Sequence, residues 1–204
     1  MRDTTPGSYL QVLEALRHVP ALLATWTIGG ASILSGREEL LAKAVTQPLW
    51  TYPHSGHPRR GPAWFLNPHD ILHAAGLHTV HQGENGNKFI YPQSNWLKKT
   101  LREPFLIVEP SDSAYHEACS RFEFLTSMIA MDTDQPAFAD PWAGEFLLDS
   151  TWGYDGNGLA SIVKAEITSA WPLLNAGAFG GELTRAEAAL STLSDWRNQY
   201  ARRW

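Results

Sequence analysis

Residues 113–131 constrain the fold most. Tyr115, Ala118, Phe122, Leu125 and Ile129 recur at alternating spacings of three and four, which places them on one stripe of a helix. Phe124, Met128 and Met131 form a second apolar set on a neighbouring face. The C-terminal half of this helix therefore needs partners on more than one side, and the rest of the chain has to wrap it. Asp112 or Ser113 is placed to cap its start, and Glu117 lies in the first turn, where a carboxylate suits the helix dipole. Pro136 prevents continuation.

Downstream the pattern changes. Residues 145–152 alternate, with Phe146, Leu148 and Trp152 on one side and Glu145, Asp149 and Thr151 on the other. Residues 153–158 are rich in Gly, Asn and Asp and read as a turn. Residues 160–168 place Val163, Ala165 and Ile167 opposite Lys164 and Glu166. The spacing predicts a β-hairpin.

The remaining elements follow from stop and start signals. Ser8 with Gln11 makes a capping box ahead of the stripe Val12, Leu13, Leu16 and Val19, and Pro20 is expected to kink or end that helix. Ser35 with Glu38 opens a second helix, which ends before Pro48. Asn67, Pro68 and Asp70 start a short helix that Gly76 stops. Residues 77–82 and 88–91 flank Asn85-Gly86, a strong hairpin turn signal. Residues 95–102 read as a short helix stopped by Pro104, and the continuous apolar run 105–108 reads as a brief buried strand. Residues 171–181 form a Gly-rich connection. Thr184 with Glu187 opens a last helix carrying Ala186, Ala189, Leu190, Leu193 and Trp196. The expected fold is α+β: a mainly helical single domain over residues 1–204, with two β-hairpins, a short additional strand, and residues 1–48 as a helical N-terminal subdomain. No βαβ alternation is present, which excludes a doubly wound parallel sheet.

At 204 residues the chain is long enough to bury a sizeable core, and nine Trp must either fill that core or line a binding face. Residues 19–36 carry no charge, but Pro20, Gly29, Gly30, Ser32 and Ser35 make the segment too polar and broken for a membrane span. Cys119 is the single cysteine, so no disulfide forms within the chain and a reducing, cytoplasmic setting is expected. Its place on the long helix marks it as a buried, inert thiol.

Charge is unevenly spread. Residues 51–102 hold six basic side chains against two acidic ones, whereas residues 103–166 hold twelve acidic against two basic. The neutral explanation is that the two segments face each other in the fold or are simply solvated; the functional one is an acidic face for a basic partner or carboxylates gathered around a metal. The favoured reading is a cytoplasmic interaction or regulatory module. It binds a protein partner with a basic surface through Asp132, Asp134, Asp140, Trp142, Asp149 and Trp152, and needs no cofactor.

The alternative is a metal-dependent hydrolase or nuclease. Either the same carboxylates hold Mg, or His69 and His73, four apart on a short helix, hold Zn with His78 or His81. A second alternative is a winged-helix nucleic-acid binder over residues 51–102, with Arg59 and Arg60 on phosphates.

Overall fold

The computed structural model describes residues 6–47, 61–68, 71–72, 92–132, 144 and 158–201. The helix expected around residues 113–131 is at its centre. Eight helices are described: α1 (Pro6–Leu34), α2 (Glu38–Thr46), α3 (Pro62–Phe65), α4 (Pro92–Phe105), α5 (Asp112–Met131), α6 (Leu159–Glu166), α7 (Pro172–Asn175) and α8 (Leu183–Ala201), with a short 3-10 turn (Ala178–Gly181) before α8. Helix α5 packs against α1, α2, α3, α4 and α8. From Phe122 to Ala130 every residue of α5 is buried, which is what its two apolar faces demand. One apolar cluster runs from Leu22 of α1 through Phe122, Phe124 and Met128 of α5 to Leu193 of α8.

The described residues contain no strand, so the expected α+β fold is replaced by an all-helical arrangement over them. The second arm of the expected second hairpin is helix α6. Its buried residues Ala160 and Val163 and the buried residue just past its end, Ile167, follow at spacings of three and four, and Ala165 is exposed. The extra strand at residues 105–108 is also absent. Phe105 ends α4 and is buried, whereas Leu106, Ile107 and Val108 form an exposed turn. The first hairpin, at residues 77–91, and residues 145–157 lie outside the described residues.

Pro20, expected to kink or end its helix, lies within α1, and Pro104, expected to stop one, lies within α4. Both prolines are exposed, and so are Leu16 and Thr100, the residues whose carbonyls each proline leaves without an amide partner. At exposed positions water can satisfy a freed carbonyl, which makes the missing bond tolerable. The hydroxyls of α1 are satisfied locally: Thr25, Thr27 and Ser32 donate to the carbonyls of Ala21, Leu23 and Ile28 at 2.8, 2.9 and 2.6 Å. Trp26 of α1 meets Phe122 of α5 edge to face at 5.1 Å. A side chain at Gly29 would start 2.1 Å from the Phe122 ring, so only glycine lets the two helices approach this closely.

The caps differ in detail from the expected ones. Ser111, not Asp112 or Ser113, caps α5, its hydroxyl accepting from the Ala114 amide at 3.3 Å. Ser35 does not cap α2; its hydroxyl donates back to the Ser32 carbonyl at 3.1 Å. Helix α8 begins at Leu183, so Thr184 lies within its first turn.

Candidate functional site

Helices α4 and α5 enclose a buried polar cluster. Lys98 Nζ lies 3.5 Å from Glu123 Oε2, with each side chain only 3% exposed. The same ammonium donates to Ser120 Oγ at 3.4 Å. Gln93 and Ser94 on α4, and Thr126 and Ser127 on α5, are also buried polar residues of these two helices. Tyr115 donates its hydroxyl to the Lys98 carbonyl at 2.8 Å. Gly144 rests on the Glu123 carboxylate: a Cβ there would fall 2.5 Å from its oxygens, so bare backbone covers this acid.

The chemistry of this cluster is structural. Burial pushes the Cys119 thiol up to about 12, and the same cause lifts Tyr115 above the usual phenol range. A thiol held protonated is a poor nucleophile. A buried ion pair of this kind fixes how two helices meet, because removing either member strands the other in the core.

Directly beside the cluster, the turn joining α4 to α5 is held from below and open above. Arg102 donates through Nε to Asp112 Oδ1 at 2.7 Å, through Nη1 to the Glu109 carbonyl at 2.8 Å and through Nη2 to the Pro110 carbonyl at 2.9 Å. Its guanidinium also lies 4.9 Å from the centre of the Tyr115 ring. The amides of Val108 and Glu109 donate to the Phe105 carbonyl at 3.0 and 2.8 Å, and the Ser111 amide donates to Glu109 Oε1 at 2.8 Å. On this fixed backbone Leu106, Ile107 and Val108 are 49%, 90% and 70% exposed. The sequence reading missed this site because it took the run as a buried strand. The available signal was its bracketing by Pro104 with Glu103 on one side and Glu109 with Pro110 on the other. Such flanks suit a turn better than a core strand.

Among the sequence-predicted site residues, Asp132 alone is described. It is not a free acid on an open face. Arg185 of α8 grips it with two bonds, Nε to Oδ1 at 3.0 Å and Nη2 to Oδ2 at 2.9 Å. Asp134, Asp140, Trp142, Asp149, Trp152, His69, His73, His78, His81, Arg59 and Arg60 lie outside the described residues. Among the described residues no group of three His, Cys, Asp or Glu converges to hold a metal; the expected Zn and Mg ligands other than Asp132 lie outside them. Part of the charge imbalance is answered inside the fold: of the twelve acids in residues 103–166, Asp112, Glu123, Asp132 and Glu166 pair with Arg102, Lys98, Arg185 and Arg121. Two of the six bases counted in residues 51–102, Lys98 and Arg102, are thereby engaged within the fold.

A groove of about 360 Å³ lies between α6 and α8, with Ala160, Ile167 and Leu190 among its lining and Lys164, Glu187 and Asp195 at its polar edge. Among the described residues no helix is long and apolar enough to cross a membrane. Comparison with protein-family models, with curated proteins and with solved structures finds no match for this chain.

Proposed function

We propose that the protein is an interaction module whose docking element is the Arg102-held turn. One observation carries this reading: Ile107 stands 90% exposed between two other exposed aliphatic residues, on a backbone fixed by a dense set of hydrogen bonds. Three consecutive apolar side chains in water bring the fold no stability, and exposed runs of this kind mark contact sites. The rigidity supports the same conclusion. A turn already held in one shape loses little entropy on binding, so more of its apolar burial is expressed as affinity.

The docking element thus moves from the Trp-bearing, acidic residues around 132–152 to residues 106–108. Asp132 is engaged with Arg185 and so contributes its charge to the fold first. A cytoplasmic setting fits the single, buried Cys119.

The test places a photo-reactive benzoylphenylalanine at position 107 of the full chain in its source cells. A defined adduct, absent when the same group is placed at exposed Lys43 on α2, supports docking through the turn. Equal labelling from both positions, or none from position 107, removes the reading.

A further inference from the structure

We infer that the turn's receptor is a protein pocket with an apolar floor and a rim of Lys and Arg, and not a membrane surface; this rests on the docking reading above. The argument is one of shape and of which charges face outward. Leu106, Ile107 and Val108 project from a tight turn, so their complement is concave. Around them the chain carries Glu103, Glu109 and Asp112, with Glu103 exposed and the Asp112 side chain 80% exposed. Between Lys99 and Glu117 there are four carboxylates against two cations. One of those cations, Arg102, aims Nε, Nη1 and Nη2 at Asp112 and at the Glu109 and Pro110 carbonyls, with its own side chain only 15% exposed. The other, Lys99, sits one helical turn before Glu103. An approaching surface therefore meets aliphatic groups flanked by more carboxylates than cations.

That combination selects among surfaces. An anionic lipid leaflet attracts basic segments and repels acidic ones, so the rim opposes membrane docking. A partner pocket edged with Lys and Arg is steered toward the turn instead, while the buried aliphatics set how long it stays. The rim also guards against self-association, since two copies of this turn would bring like charges together.

The experiment uses the full chain and the protein recovered in the position-107 adduct. Association is followed between about 20 and 300 mM salt, where screening of exposed charges changes most. Three chains are compared: the natural one, Ile107→Ser, and Glu103→Gln with Glu109→Gln. Asp112 is left intact because it orients Arg102. The expected result is association slowed roughly tenfold by salt, slowed several-fold at low salt by the neutral rim, and dissociation sped at least tenfold by Ile107→Ser. An adduct partner whose association ignores both salt and the rim substitutions overturns the basic-rim inference and leaves the docking reading standing. Pelleting with vesicles of equal parts phosphatidylserine and phosphatidylcholine, lost in Ile107→Ser, overturns both. An adduct joining two copies of the chain overturns the inference, and no adduct overturns both.

Discussion

Lys98 and Glu123 show how a single pair of side chains organises its surroundings. Both are almost fully enclosed, yet neither is useful alone, because each offsets the other's burial through charge. Lys98→Met is expected to cost about 3–5 kcal/mol, since it leaves a carboxylate in the core. Adding Glu123→Leu to that variant should recover most of the loss, whereas additive costs in urea unfolding would show that the pair is not coupled. Cys119 and Tyr115, one turn apart on α5, give a pH dependence of definite sign. Burial raises both, so each holds its proton more tightly in the folded chain than in the unfolded one. The contribution of Cys119 to stability is present below the ordinary thiol value of 9.0 and is lost as pH climbs from there toward 12, and that of Tyr115 is lost only as pH climbs above the ordinary phenol value of 10.0. The unfolding midpoint should fall over that window and fall less in Cys119→Ala. In the native chain at pH 8, thiol labelling should be slower than in the unfolded chain by about a hundredfold or more. Equal rates would contradict an enclosed, protonated Cys119.

The helices differ in how openly the sequence declares them, and the reason is physical in each case. Helix α5 is legible because burial on two faces leaves a long apolar periodicity that no strand can copy. Helix α8 is legible because Ala186, Ala189, Leu190 and Leu193 sit at helical spacing and are all buried. Helix α6 is short, and its eight residues with the C-cap Ile167 hold both periods at once: Val163, Ala165 and Ile167 alternate, while Ala160, Val163 and Ile167 follow a helix. Packing against α8 decides between them, and that contact is invisible in the local sequence. The turn at residues 106–108 was misread because an apolar run says nothing about whether anything covers it. Helix α1 carries the reverse lesson, for Gly29 looks like a flaw in a helix until Phe122 is placed beside it. Gly29→Ala would drive a methyl into a ring that is itself locked against Trp26. The expected cost is about 2–3 kcal/mol, read as a lowered melting temperature with helix content retained. An unchanged melting temperature would mean that α1 and α5 are not packed this closely.

Across the whole molecule, segments far apart in sequence are joined by charge at the edges of the apolar core. Arg121 is the clearest case. From α5 it donates through Nε to Glu38 of α2 and through Nη2 to Glu166 of α6, partners 83 and 45 residues away. Burial alone would pull its pKa down, and the two carboxylates more than reverse this, so the guanidinium is held above its ordinary value. The uneven charge of the sequence is therefore, in part, a wiring pattern: acids concentrated in one stretch find bases supplied by others. This was half legible. The counts were plain, but which acid meets which base depends on helix packing. Arg121→Met should leave two partly enclosed carboxylates facing each other and cost about 2–4 kcal/mol, more than a surface ion pair is worth. The same change made in a chain already carrying Glu38→Gln and Glu166→Gln should cost less than about 1 kcal/mol, because the acids it would strand are gone. Native-state hydrogen exchange supplies the spatial check. Amides of α2 and α6 should lose protection together in Arg121→Met, although neither helix is altered in sequence. Loss confined to α5, or equal costs in the two backgrounds, would show that Arg121 stabilises only its own helix and that the packing of α2 and α6 does not depend on it.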